Sequence, residues 1–359
     1  MANKLTLVID MNWLTISRFS VLSKGFEKSN PDHIKHQTQI ELEELMARSI
    51  NVILNRFPVI DNIVMVADGG SWRKQLPVPS QLTDITYKGN RTVDTDMDWN
   101  YIYGALNNIL DVAAEQGVTV SRHANLEGDD WVWYWSRRLN GDNINCLIWT
   151  SDNDLKQLIQ VDQTTNAFTV WYNDRNGLWL PESLKQPDDV IEFFMSFEYF
   201  SPCLESLKKQ LSNEVNYINP HIIINSKVIC GDAGDNIMPV FKYKKGGRNF
   251  RITEKVWEQI SNDLNIKTIY ELFERKSEVV SKICSSPKFA PHCPCKELIE
   301  EMIEYNRKLV WLNEEVIPDT AIQAMNQQEY KEFDVPYIRN NYKALLKSND
   351  DIQSLFEGL

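Results

Sequence analysis

Hydrophobic positions in the first half of the chain follow two alternating patterns. Short runs, "LTLVID" (5–10), "NIVMVAD" (62–68), "VTVSRHA" (118–124) and "CLIWTSD" (146–152), are apolar on consecutive positions, as strands buried on both faces are. Between them lie segments with helical spacing. In 39–57 the apolar positions are Ile40, Leu42, Leu45, Met46, Ile50 and Ile53; 99–117 ends on a glycine; 128–141 carries an aromatic face and ends near Arg137-Arg138. Strands alternating with helices predict a parallel α/β sheet. Two further runs, 167–173 and 177–181, predict a hairpin across Asp174 to Gly177. Beyond about residue 186 the pattern is helical, and Pro181 to Pro187 is the expected boundary between an α/β domain (1–185) and a helical domain (186–359).

Polar residues interrupt this pattern at consistent places. The first predicted strand ends on Asp10 and the second on Asp68. The third leads to Glu127, Asp129 and Asp130, and the fourth ends on Asp152 and Asp154. In an open parallel sheet, ligands bind outside the carboxyl ends of the strands. One acid per helix is accounted for by N-capping. Seven are more than capping needs, and seven clustered carboxylates without a cation repel or protonate. An all-oxygen set without His or Cys selects a hard ion such as Mg²⁺ or Mn²⁺, which suits reaction at phosphate.

The helical half holds a second acidic stretch, "VICGDAGDNIMPV", with Asp232 and Asp235 three residues apart. Beside it, "FKYKKGGRNFR" carries Lys242, Lys244, Lys245, Arg248 and Arg251 with no acid among them. Interleaved Phe and Tyr make it a fit for a nucleic-acid backbone.

The chain has 359 residues and a formal net charge of −12, which disfavours general adhesion to nucleic acid unless the acids cluster on metal and basic patches lie elsewhere. No apolar run approaches the roughly 18 residues of a membrane span, and the N-terminus reads as a strand rather than a signal peptide, so a cytoplasmic protein is expected. Cys284, His292, Cys293 and Cys295 are potential zinc ligands, although Cys-Pro-Cys is not a usual zinc spacing. Cys146, Cys203 and Cys230 read as buried thiols. The tail "DIQSLFEGL" ends on an apolar pair, Leu355 and Phe356, for which packing on the protein and docking on a partner are both open.

Together the segments "LVIDMNW", "VADGGSWRK", "TYKGNR", "MDW", "LEGDDW", "TSDNDLKQL", "GDAGDN" and "YNRKLVWLNEEVIPD" resemble the 5′-nuclease superfamily of flap endonucleases and 5′-3′ exonucleases, and within it most the RNase H group of T-even phages. The resemblance spans residues 5 to about 318. It implies a PIN-like, mostly parallel sheet flanked by helices. It also implies a helical part with a helix-turn-helix-type duplex-binding unit (about 222–260) and an arch over the active site (about 70–98). It implies two metal ions, Mg²⁺ with Mn²⁺ able to substitute. Asp10, Asp68, Glu127 and Asp129 would form the first site; Asp152, Asp154 and Asp232 the second, with Asp235 outside it and Asp130 between. Arg73, Lys74, Lys88 and Arg91 would hold phosphates and stabilise developing charge.

The implied activity is phosphodiester hydrolysis on 5′ flaps, nicked duplexes and RNA·DNA hybrids, leaving a 5′-phosphate, with primer removal in phage replication as its role. Implied partners are a sliding clamp, through Leu355 and Phe356, and a single-stranded-DNA-binding protein; the protein would be a monomer. The alternatives are a PIN-like ribonuclease and a non-catalytic nucleic-acid-binding module. Two departures stand out. Met238-Pro239 replaces the usual Pro-Gly, and the basic stretch replaces a short Gly-Ile-Gly hairpin.

Overall fold

A computed structural model describes residues 4–25, 31–79, 86–90, 98–182, 215–245, 248–287, 289–293 and 295–347. Strand β1 (Leu5–Asp10) is buried at all six positions, as a central parallel strand must be. It pairs in parallel with β2 (Asn62–Val66), Asp10 opposite Val66, and with β4 (Asn145–Trp149), Ile9 opposite Trp149. Strand β3 (Thr119–Ser121) extends the sheet beyond β2. On the other side, β6 (Phe168–Asn173) pairs in parallel with β4, β7 (Gly177–Pro181) returns antiparallel as the expected hairpin, and β8 (Val215–Ile218) runs parallel to β7. The short β5 (Gln160–Val161) pairs with β6 off this path.

The order β3-β2-β1-β4-β6-β7-β8 makes a mostly parallel sheet of the expected class. It also sets a topological switch point. The chain leaves β1 toward β2 and β3, then returns to the opposite side for β4.

Helices pack on the sheet. Helix α1 (Met11–Leu22) follows β1 directly and buries Met11, Leu14 and Thr15. Helix α2 (Pro31–Arg56) begins eight residues before the apolar periodicity predicts. Helix α3 (Trp99–Glu115) and helix α4 (Gly128–Gly141) occupy their predicted places. Leu7, Ile9, Met46, Ile50, Ile63, Leu106, Trp149 and Tyr172 belong to one buried cluster, in which helices cover the sheet face.

The chain forms two compact units. The first is Met1–Gly70, Asp94–Ile218 and Gln323–Leu359; the second is Ser71–Val93 and Asn219–Ile322. The expected division at 185 lies outside the described residues; Gln323–Leu359 nevertheless joins the first unit. The reason is hydrogen bonding. In the first unit Tyr330 and Thr6 share a hydroxyl contact (2.8 Å), Lys331 N–H donates to Thr119 Oγ1 (2.9 Å), and Asn51 Nδ2 donates to Arg339 O (2.7 Å). The C-terminal segment is thus part of the sheet unit.

The second unit has its own core, with Ile229, Ile252, Val280, Phe289, Ile303 and Tyr87 among its members. The region expected as a helix-turn-helix unit contains helix α5 (Pro220–Cys230), the 231–236 loop, a hairpin of β9 (Lys242–Lys245) and β10 (Arg248–Arg251), and helix α6 (Glu254–Asp263). Among the described residues no helix is long and apolar enough to cross a membrane.

Candidate functional site

In the first unit, three strand ends deliver carboxylates to one edge. Asp10 is the last residue of β1 and the N-cap of α1, its Oδ1 accepting from Trp13 N–H (3.0 Å). Its Oδ2 accepts from the hydroxyl of Thr150 (2.9 Å). The same Thr150 oxygen accepts from the backbone N–H of Asp152 (3.1 Å). One fully buried hydroxyl therefore ties the ends of β1 and β4 together across the switch point. Asp152 caps a short 3₁₀ turn (Asn153–Leu158) by accepting from Asp154 N–H (2.8 Å), and Trp171 Nε1 donates to Asp152 O (3.1 Å). Asp152 and Asp154 are both half-buried.

Asp68 lies two residues beyond the end of β2. Its backbone is held by Asn12 Oδ1, which accepts from Asp68 N–H (2.8 Å), and by Arg122 Nε, which donates to Asp68 O (2.8 Å). Its Oδ1 accepts from Gly128 N–H (2.6 Å) at the positive end of α4. Gly69 and Gly70 are required here. A Cβ at Gly69 would lie 2.2 Å from His123 O, and one at Gly70 1.8 Å from Ala124 O. Glu127 is the N-cap of α4 and is 5% exposed. Asp129 is half-buried. Asp130 has a structural task that the metal expectation did not foresee. It is fully buried, and its Oδ2 turns back to accept from Glu127 N–H (3.0 Å).

Electrostatics binds these acids into one group. Burial pushes the Asp10 carboxyl up to about 7, and the nearby charges of Asp68 and Asp152 push in the same direction. The Trp13 N–H and Thr150 hydroxyl oppose the shift without cancelling it. A cation would relieve this repulsion, and the donors are hard oxygens that suit a divalent ion. Among the described residues no three His, Cys, Asp or Glu side chains form a ready-made cluster that could hold one ion. The residues fit an ion that keeps several of its waters better than one enclosed in a protein cage.

In the second unit the 231–236 loop is a tight turn closed by Asp232 and Ile237, which exchange backbone hydrogen bonds (2.9 and 2.7 Å). Gly231 has φ +71, and a Cβ there would lie 2.3 Å from Ile237 O. Asp232 is salt-bridged to Lys227 and accepts from Gly234 N–H (2.8 Å). Partial burial would raise the Asp232 pKa, but the Lys227 bond and charge and the backbone N–H donors outweigh it and hold the carboxyl below its usual range. Asp235 is met by Tyr87 Oη (3.4 Å) and by Lys88 Nζ (4.0 Å), while Lys88 N–H donates to Asp235 O (2.9 Å). Segment 86–90 is therefore fastened to this loop.

The other basic candidates have different fates. Arg73 is 2% exposed, with Nε donating to Leu309 O (3.1 Å) in the last turn of the helix Lys296–Val310 and its guanidinium 4.5 Å from the centre of the Trp72 ring. It caps a helix end within its own unit. Lys74 is exposed. Arg91 and the tail residues Leu355 and Phe356 lie outside the described residues.

In the register of the hairpin, Lys245 pairs with Arg248 and Lys242 with Arg251. Like charges directly opposite, as Lys242 and Arg251 are, destabilise a bare hairpin, and an anion removes that cost. Lys242 and Arg251 are exposed; Lys244 is placed on the strand opposite Asn249. Tyr243 stacks on Phe250 (4.9 Å) and on His292 (4.3 Å). The zinc possibility is corrected at this point: Cys284 and Cys293 are joined in a disulfide, Cys295 is exposed and free, and His292 is stacked on Tyr243.

Two positioning residues carry no clear mark in the sequence. Thr150 precedes the acidic pair, yet no periodicity marks a buried hydroxyl. Asn306, fully buried in Lys296–Val310, donates from Nδ2 to both Val228 O and Met238 O (2.8 Å each), clamping the two sides of the 231–236 loop. Its signal was a lone Asn amid the apolar periodicity of that helix.

No protein-family model matches the chain, and no curated protein matches it significantly. Solved structures do. The chain is similar to the phage T5 D15 protein co-crystallised with metal ions, with a TM-score of 0.54 and 13% identity over 96% of this chain and 100% of that one. It is similar to T5 5′-exonuclease with zinc bound, with a TM-score of 0.52 and 13% identity over 90% of this chain and 99% of that one. A T5 D15 flap endonuclease in a pseudo-enzyme-product complex with DNA and metal ions gives a TM-score of 0.52 and 14% identity over 94% and 100%. The chain has the fold of these 5′ nucleases, as the resemblance of its motifs implied.

Proposed function

We propose that the protein is a divalent-metal-dependent, structure-specific 5′ nuclease acting on flapped or nicked DNA and on RNA·DNA hybrids. The observation that carries this reading is the group of Asp10, Asp68 and Asp152 at the carboxyl edge of the sheet, with Asp10 shifted to about 7 by burial and by the other two. A structural cluster gains nothing from mutual repulsion, whereas a bound cation would offset it.

Asp10, Asp68, Glu127 and Asp129 would hold one ion, and Asp152 and Asp154 would contribute to a second. Such ions, Mg²⁺ with Mn²⁺ as substitute, supply an acidified water and charge neutralisation at the phosphate. The chain's own residues orient this set. Thr150 holds Asp10 and Asp152 in register, and the N-terminus of α4 fixes Asp68. The basic hairpin 242–251 would grip the nucleic-acid backbone. Removal of RNA primers in phage replication, action as a cytoplasmic monomer, and docking of the tail on a sliding clamp or near a single-stranded-DNA-binding protein extend this reading. They rest on the sequence resemblance.

The test is a 5′-flap duplex labelled at its 5′ end, incubated with Mg²⁺, with Ca²⁺, and with the Asp152→Asn variant. Release of a short labelled product in Mg²⁺ alone, abolished in the variant while DNA binding persists, is the expected result. Binding without cutting in either Mg²⁺ or Mn²⁺ overturns the proposal.

A further inference from the structure

The first unit contains a cavity of about 170 Å³ that the nuclease reading does not use. Helix α2 lines it with Leu45, Arg48, Val52 and Arg56, whose spacing places them along one face. Arg18 of α1 closes one side, and Trp149 and Asp174 the sheet edge. Three guanidinium groups thus meet in one cavity of a chain with a formal charge of −12.

The local charge is not cancelled. Arg18 pairs with Asp174 (3.1 Å), and Arg48 with Glu44 (2.5 Å). Arg56 donates to the hydroxyl of Tyr172 and lies over its ring (5.6 Å); no carboxylate partner meets it among the described residues. Three cations against two carboxylates leave one net positive charge. Arg18 Nε is also buried without a hydrogen-bond partner among the described residues. A guanidinium carries five N–H donors in a planar fork that matches phosphate oxygens, so donors remain for one oxyanion. Besides Ser49 and Asp174 the rest of the wall is apolar, Leu45, Val52, Ile53 and Trp149, with Val52 63% exposed, which suits the carbons of a sugar. Among the large hydrophobic residues of the lining, only Val52 is exposed, and no exposed aromatic anchor accompanies it, which argues against a protein partner.

We propose that this cavity is an accessory phosphate site that holds a phosphate of a nucleic-acid strand on the nuclease unit. The inference rests on the nuclease reading only for the identity of the strand.

The experiment measures binding of the full-length protein to a labelled flap duplex by fluorescence anisotropy in Ca²⁺, across about 50 to 300 mM KCl, a range over which counterion release dominates. The variants are Arg48→Gln, which removes an exposed guanidinium, and Arg56→Gln. Flap cleavage in Mg²⁺ at saturating enzyme is followed in parallel, so that failure of the nuclease reading is seen separately. Removing one cation from a bound phosphate should reduce the slope of log K against log salt by about 0.7 to 0.9 in each variant, with single-turnover cleavage at saturation unchanged. Competition by a short 5′-phosphorylated oligonucleotide, compared with inorganic phosphate, separates strand recognition from capture of a free anion. Slopes equal to wild type in both folded variants overturn the proposal. So does an acidic peptide that competes with the duplex in wild type but not in the variants, since it makes the cavity a protein-docking site.

Discussion

Asp10→Asn should make the protein more stable while abolishing its proposed chemistry. Asp10 is 9% exposed, and its carboxyl shifts from 3.8 to about 7. A raised carboxyl pKa means that the folded state binds the proton more tightly than the unfolded chain. The contribution of Asp10 to stability is therefore best below about pH 4, falls as pH rises toward 7, and levels off above it. Three units at 1.36 kcal/mol each put the cost of the charged side chain at about 4 kcal/mol at pH 8, and the same linkage gives about 2 kcal/mol at pH 5. Asparagine caps a helix as well as aspartate does, and its amide can still meet the Thr150 hydroxyl, so little is lost in exchange. Thermal unfolding of wild type and variant in chelator, at pH 5 and pH 8, should show the variant more stable at both, with the gap widening by about 2.5 kcal/mol at pH 8. Adding Mg²⁺ at pH 8 should raise the wild-type melting temperature more than that of the variant. A gap that does not widen with pH would refute the claim that Asp10 is electrostatically strained.

Other substitutions test the supports of the site. Thr150→Val removes a bond to a carboxylate and leaves Asp152 N–H without its acceptor, so urea unfolding should report a loss of about 2 to 4 kcal/mol, largely restored in Thr150→Ser. Asn306→Leu leaves Val228 O and Met238 O without that donor, with an expected cost of about 2 to 5 kcal/mol and faster amide exchange across the 231–236 loop. Lys242→Gln and Arg251→Gln should each lower the salt slope of DNA binding by the equivalent of about one phosphate, independently of the sequence bound.

The amino-acid sequence by itself determined the alternation of strands and helices, the hairpin across residues 174–177, and the delivery of acids to strand ends. These are local properties. Apolar runs, turn residues and the residue that follows a strand are set by near neighbours in the chain. The tertiary structure decided what each side chain meets. Arg73 reads as a surface cation in "SWRK", yet it is buried against Leu309, 236 residues away. Asp130 stands beside Asp129 in sequence but turns into the start of its own helix. Thr150 became the tie between Asp10 and Asp152 only because sheet register sets Trp149 opposite Ile9. Segments 71–93 and 323–359 exchanged units because the hydrogen bonds and core packing they complete belong to distant parts of the chain. Pairing at that range depends on register and burial, which are settled when the sheet and the two cores assemble, and no local window of residues encodes them.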